Sequence, residues 1–292
     1  MDALKVNGLR KAFDKFTLDR VSFALEEGTI TGFIGENGAG KTTTMKLIAG
    51  LTHKDGGEVA IFGKEQEDLT KADREKYSIV FDEPTFPDKV RLTRLNDILD
   101  DLFLDWDSGK FFSYLESFGI DKTKRINELS NGMKGKLNIA IALSHGSRLL
   151  ILDEPANGLD PMARDDFLGI LASFVRDKRG TVLISSHIVS DLEKICSRFI
   201  FIHRGRILFD DSKANLMSRY ELISLPSAKK DLALREGIIS KRDNPLTGEL
   251  EVLAKAGTFE DLGLEAKSPS LEELAIMLIK SDSLSPKAKD SL

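Results

Sequence analysis

Cysteine is almost absent: Cys196 is the only one among 292 residues. One thiol cannot close an internal disulfide, so the chain is not a disulfide-stapled scaffold, and a reducing compartment is expected. Long apolar runs are missing too. The longest, Leu274 to Ile279, falls far short of the roughly 18 residues that suggest a membrane span, so the chain is not expected to cross a bilayer by itself. Met1-Asp2-Ala3-Leu4-Lys5 shows no basic region followed by an apolar core, and no secretory signal is expected. Nor is there an excess of positive charge. Lys and Arg total 42 against 47 Asp and Glu, a formal net charge of −5, and without a long basic run no nucleic-acid partner is expected. What is present, 41% hydrophobic and 30% charged residues, supplies a packed core and excludes whole-chain disorder.

Three short apolar or β-branched runs, Thr29 to Ile34, Leu149 to Leu152 and Thr181 to Ile184, suit central strands covered on both faces. Each runs into a loop rich in Gly, Ser or Asp, so residues 1–215 are read as one α/β unit with a parallel core. Hairpin-like stretches at Val21 to Ile30 and at Phe199 to Phe209, around Arg204-Gly205-Arg206, suggest antiparallel strands at its margins. Between about 84 and 143 the strand signals fade, and Arg94 to Leu104 and Lys110 to Phe118 carry apolar residues at helical spacing, predicting an inserted helical subdomain. Residues 216–280 change texture again. Glu221 to Leu225 reads as a strand, and Ile238 to Lys241 and Glu249 to Ala254 flank the turn-rich Asn244-Pro245-Leu246-Thr247-Gly248. A last helix is expected from Ser270, in a capping box with Glu273, burying Leu271, Leu274 and Leu278. The polar tail 281–292 is expected to be disordered.

Gly35-Glu36-Asn37-Gly38-Ala39-Gly40-Lys41-Thr42 fits the phosphate-binding loop, placed between a predicted strand and a predicted helix. Glycines let successive backbone N–H groups turn toward phosphate oxygens, and the helix N-terminus adds a favourable dipole. Lys41 is expected at the β- and γ-phosphates, Thr42 at Mg²⁺, and Thr43 joins the nucleotide-binding set. Two similar acidic segments follow apolar runs, Phe81-Asp82-Glu83-Pro84 and Leu152-Asp153-Glu154-Pro155. The second follows the more purely apolar run, Leu149 to Leu152, so Asp153 is assigned to organising Mg²⁺ and Glu154 to polarising the attacking water as general base.

Leu129-Ser130-Asn131-Gly132-Met133 precedes this segment, Asn157-Gly158-Leu159-Asp160 follows it, and Ile184-Ser185-Ser186-His187 ends the next strand. With these motifs in order, residues 4 to about 215 resemble the nucleotide-binding subunits of ATP-binding cassette (ABC) transporters. The resemblance implies an α/β fold: a P-loop ATPase with a RecA-like core, an antiparallel β margin and an inserted helical subdomain, here followed by a small α+β C-terminal domain. It implies that Phe13, which alone reads as a core residue, stacks on adenine. It implies that Ser130 and Gly132 bind the γ-phosphate of nucleotide held mainly by an opposite cassette, that Asp160 links the two sites, and that His187 contacts the γ-phosphate and supports Glu154. Together with Gly35, Asn37, Gly38, Ala39 and Gly40 these residues form the ATP site.

Four positions, in three motifs, depart from the family pattern. Asn131 and Met133 replace residues of the usual Leu-Ser-Gly-Gly-Gln signature while its Ser and second Gly survive. Ala156 stands where threonine is common. Asp82 falls where the family has a metal-ligating glutamine, and either ligates Mg²⁺ or caps a turn before Pro84. The resemblance further implies a second ATPase subunit, identical or not, and a separate transmembrane permease; Asp82 to about Leu104 is the candidate docking surface, and its apolar residues Phe86, Pro87 and Leu92 serve either that surface or the core of the helical subdomain. The chain would then sit at the cytoplasmic face of the membrane. The single cassette with a short C-terminal unit is similar to ATPases of bacterial ABC-2-type exporters, including those for amphipathic or antimicrobial peptides. A soluble ABC ATPase acting on ribosomes or DNA is the alternative, and the C-terminal unit is left as a dimerising, regulatory or stabilising element.

Overall fold

The computed structural model describes residues 1–81, 87–178, 180–186, 188–244 and 247–284. Alternation in β1 (Asp2–Ala12) and β2 (Thr17–Glu26) turns Leu4, Val6 and Leu9 of one strand and Leu18, Val21, Phe23 and Leu25 of the other to a single face, and the two pair antiparallel. β3 (Ile30–Ile34) leads through the glycine loop into α1 (Lys41–Ile48). β4 (Gly56–Ile61) and the two-residue β5 (Lys64–Glu65) return to the first sheet, whose order is β2-β1-β4-β5. The short α2 (Lys71–Arg74) then precedes β6 (Tyr77–Val80). A helical stretch follows, comprising α3 (Leu92–Leu102), α4 (Ser108–Ser117) and α5 (Asn131–Leu143). β7 (Leu149–Leu152), α6 (Pro161–Lys178), β8 (Thr181–Ser186), α7 (Val189–Ile195), β9 (Arg198–His203) and β10 (Arg206–Ser212) complete a six-stranded sheet of order β10-β9-β3-β8-β7-β6, parallel except for β10.

This sheet is covered on both faces, which is why its strands read as continuous apolar runs. Ile30, Ile34, Leu150, Leu152, Val182 and Ile184 pack on the helical side. Phe33, Leu149, Ile151, Leu183, Ile200 and Ile202 pack against the first sheet and α1. The three central strands expected from sequence are all present. The stretch Val21 to Ile30 is not a hairpin, however: β2 pairs with β1, and β3 belongs to the other sheet. A Gly-containing turn between two apolar runs looks the same whether the second run folds back or departs for a neighbouring layer. The other expected hairpin forms between β9 and β10, with Arg204 at φ +45° and Gly205 at φ +77° supplying the left-handed backbone that a two-residue turn needs.

α3 begins two residues before the expected Arg94 because Leu92, Leu95 and Leu99 form its buried stripe. Phe111 on α4 is fully buried, with Trp106 and Phe112 ring centroids 5.3 and 5.5 Å away. Replacing it removes a ring at the centre of the helical layer, and Phe111→Ala is expected to cost about 3–5 kcal/mol in denaturant unfolding.

Beyond β10, α8 (Lys213–Arg219) leads into a third, antiparallel sheet of order β12-β13-β11-β14, from β11 (Tyr220–Leu225), β12 (Ile238–Asp243), β13 (Leu250–Lys255) and β14 (Ala266–Lys267). The strands flanking the Asn244–Gly248 turn pair as expected, although residues 245–246 lie outside the described residues. The last helix, α9 (Leu271–Leu284), starts with the anticipated capping box: Glu273 N–H donates to Ser270 Oγ at 3.1 Å, and Ser270 N–H donates to Glu273 Oε2 at 2.9 Å. Leu271, Leu274 and Leu278 are buried, and Leu271 N–H donates to Glu193 Oε1 on α7 at 3.1 Å. These leucines share a core with α7 and β9, so the C-terminal elements are packed onto the α/β unit. The helix continues through Leu284, past the expected start of the tail, while 285–292 lie outside the described residues. Among the described residues no helix is long and apolar enough to cross a membrane.

Candidate active site

The C-terminal ends of β3, β7 and β8 lie side by side, the place where open α/β sheets bind ligands. After β3 the chain turns sharply. A Cβ on Gly35 would stand 2.3 Å from the carbonyl oxygen of Ile202, Gly38 and Gly40 have φ of +79° and +116°, and Ala39 N–H donates to Glu36 O at 3.1 Å. Gly205 N–H donates to Ala39 O at 2.9 Å, so the β9–β10 turn braces the loop from behind. Asn37 and Gly38 are exposed while Ala39 and Gly40 are buried. α1 then begins without a side-chain cap and without an acidic residue in its first turn, leaving its leading amide groups and the positive end of its dipole for an anion.

Lys41 is only 6% exposed, yet its stem lets Nζ donate to the carbonyl oxygens of Gly35 at 2.7 Å and Glu36 at 3.3 Å. Nζ also lies 3.6 Å from Glu154 Oε1, so the glycine loop and the acidic segment after β7 meet at one ion pair. Asp153 is buried, and its amide donates to Val80 O at 2.9 Å. Glu154 has φ +50°, a left-handed backbone that is strained for a non-glycine residue. Ser185 at the end of β8 joins the two: its hydroxyl donates to Asp153 Oδ1 at 2.8 Å and accepts from Glu154 N–H at 2.9 Å. Thr42 is exposed and Thr43 half-buried on the first turn of α1.

The donor set suits Mg²⁺. Carboxylate and hydroxyl oxygens are hard ligands, and Mg²⁺ is usually held by one or two carboxylates together with substrate phosphates. Among the described residues no group of three or more His, Cys, Asp or Glu could hold a metal ion by itself. Asp82, the other candidate ligand, and His187, the candidate γ-phosphate contact, lie outside the described residues.

Phe13 is 46% exposed on the loop after β1, a degree of exposure that suits a stacking platform better than the core position its residue type suggests. Ser130 caps α5, its Oγ accepting from Met133 N–H at 3.3 Å. A Cβ on Gly132 would approach Gly158 O to 3.1 Å, so the first turn of α5 lies against the Asn157–Leu159 turn. Asp160 caps α6, accepting from Ala163 N–H at 3.0 Å and Met162 N–H at 3.1 Å, and these bonds, that from Ala163 foremost, hold its carboxyl below the usual carboxylate range. The capping role is legible in Asp160-Pro161, a cap residue before proline at the first helical position, but sequence reading passed over it. Ser185 was also passed over, because a serine inside a buried strand run gives no signal until its neighbour strand is known.

Residues 18–157 match the model of a protein family described as ABC transporter. The chain is 34% identical over 220 residues to the lantibiotic transport ATP-binding protein SrtF of Streptococcus pyogenes, covering 73% of this chain and 93% of that one. It is 32% identical over 222 residues to the ABC transporter ATP-binding protein YtrB of Bacillus subtilis (strain 168), covering 75% and 73%. Among solved structures, an ATP-binding subunit of an ABC transporter superposes with a TM-score of 0.67 at 26% identity, covering 73% of this chain and 91% of that one.

Proposed function

Since the chain belongs to the ABC transporter family, we propose that it is the ATP-binding and ATP-hydrolysing subunit of an ABC exporter, acting through a separate membrane-spanning permease at the cytoplasmic face of the membrane. One observation carries the reading: the buried ammonium of Lys41 and the carboxylate of Glu154 converge 3.6 Å apart at the ends of β3 and β7, with Asp153 beside them. ATP is placed with adenine against Phe13 and its phosphates along Gly35, Asn37, Gly38, Ala39, Gly40, Lys41, Thr42 and Thr43. Thr42 and Asp153, with Asp82 as a further candidate, would hold Mg²⁺, which would supply neutralisation of phosphate charge. Lys41 balances charge on the transferred phosphoryl oxygens, Glu154 accepts the proton of the attacking water, and His187 contacts the γ-phosphate and supports Glu154.

Ser130 and Gly132 stand at the N-terminus of a different helix, α5, which packs on the Asn157–Leu159 turn. In this reading they complete the site of a second cassette, with Asp160 between the two, so that ATP closes a dimer and hydrolysis reopens it. Residues 1–215 form the cassette and 216–280 an accessory unit packed on α7. The name of SrtF, a lantibiotic transporter component, supports export of an amphipathic peptide as the class of work.

For the permease, the expected docking segment needs one revision. Leu92 is fully buried and belongs to the core, Phe86 lies outside the described residues, and Pro87 is exposed. Among the described residues of this segment, the exposed large apolar side chains are Ile98, Leu102 and Leu104. Exposed apolar side chains this close in sequence suit a protein partner better than water. Co-purification tests the reading: the wild-type chain is expected to retain an integral membrane protein, and Leu102→Asp with Leu104→Asp to lower its recovery about tenfold or more at unchanged ATP binding. Equal recovery by wild type and variant removes this surface from the proposal.

A further inference from the structure

β7 and β8 run parallel in register from Leu149 opposite Thr181 to Leu152 opposite Ile184. One step beyond, Asp153 stands against Ser185, which has no exposure to solvent. A serine hydroxyl has one proton to give and lone pairs to receive with. Ser185 uses both, donating to Asp153 Oδ1 at 2.8 Å and accepting from Glu154 N–H at 2.9 Å. The second bond falls on the residue whose φ of +50° is strained, and that turn directs the Glu154 carboxylate to within 3.6 Å of Lys41 Nζ.

Resting on the ATPase reading, we propose that Ser185 is a positioning residue for hydrolysis: one buried hydroxyl sets the Asp153 carboxylate and the Glu154 backbone turn together. The bond from Ser185 to Oδ1 fixes the rotation of the Asp153 carboxylate, the group that would orient Mg²⁺ or its bound water. Both bonds cross from β8 to the end of β7, so two acidic residues with different tasks are held in fixed relation by one hydroxyl, and shifting either strand end disturbs both. A plain cross-link between strands would affect melting alone.

Three variants separate these roles. Ser185→Ala deletes both bonds, Ser185→Cys keeps the volume with a weak donor and acceptor, and Ser185→Thr keeps the hydroxyl. At a temperature well below melting, the Ala and Cys variants are expected to lose about 10–100-fold in kcat with KM for ATP little changed. The Mg²⁺ concentration giving half of the Mg²⁺-induced change in affinity for a fluorescent ATP analogue is expected to rise by a similar factor, and Ser185→Thr is expected to restore both readouts. Should the extra methyl of Thr prevent folding, the Ala and Cys variants decide. Folded Ala and Cys variants with wild-type kcat and wild-type Mg²⁺ dependence overturn the proposal. If the wild type itself shows no turnover, the ATPase reading fails separately, and the Mg²⁺ dependence of binding still decides the role of Ser185.

Discussion

Glu154→Gln is expected to reduce ATP turnover by about 10²–10⁴-fold, the usual worth of a positioned general base, and to leave a dimer that persists in ATP. The amide matches the carboxylate in size and carries the same backbone cost at φ +50°, so the variant should fold. What it loses is the ability to take a proton from water, along with the charge facing Lys41 Nζ at 3.6 Å. Binding through the glycine loop is untouched, and closure without hydrolysis then accumulates as a dimer in size-exclusion chromatography with ATP. Turnover near the wild-type level would remove Glu154 from the role of base. Lost turnover without an ATP-dependent dimer would remove the closing-and-reopening cycle.

Gly35→Ala is expected to be the most damaging single methyl in the site. The added Cβ would meet the carbonyl oxygen of Ile202 at 2.3 Å and its Cγ2 at 2.9 Å. That oxygen belongs to β9, which is locked to β3 by parallel pairing from Thr31 opposite Arg198 to Ile34 opposite Phe201, so neither strand can move aside without breaking the ladder. A stability loss of about 3 kcal/mol is expected, the upper part of the ordinary range for overpacking, together with loss of nucleotide binding because the loop is displaced from α1. Gly38→Ala is the control. Nothing lies within 4 Å of its added Cβ, and only its φ of +79° resists, so about 1–2 kcal/mol is expected. Thermal unfolding with and without ATP measures both. Equal effects of the two substitutions would mean that the contact with Ile202 is not what the glycine serves.

How much of this was legible follows from which interactions are local. Leu149–Leu152 is legible with its bounds intact because a run of four aliphatic residues, too short for a helix and ending at an acidic turn, suits a covered strand. The capping box at Ser270 and Glu273 was legible because its partners are three residues apart. Lys41 and Glu154, by contrast, are far apart in sequence, and their meeting was inferred from motif order; strand pairing supplies it physically. β1 and β4 were missed altogether, since their strands alternate with charged residues and find each other across the whole glycine-loop excursion. Of the two readings open for Leu92, core rather than docking surface holds, because it shares the apolar stripe of α3 with Leu95 and Leu99. Ser185 was passed over because its chemistry exists only across two strands.

The central claim is that this chain hydrolyses ATP as one of a pair, and the most direct test is phosphate release from ATP by purified wild-type chain with Mg²⁺, measured over a range of protein concentrations with Glu154→Gln as the reference. Repeated turnover that depends on Mg²⁺, rises more steeply than protein concentration and is lost in Glu154→Gln is the predicted result. No turnover, or turnover that the substitution leaves intact, would contradict it.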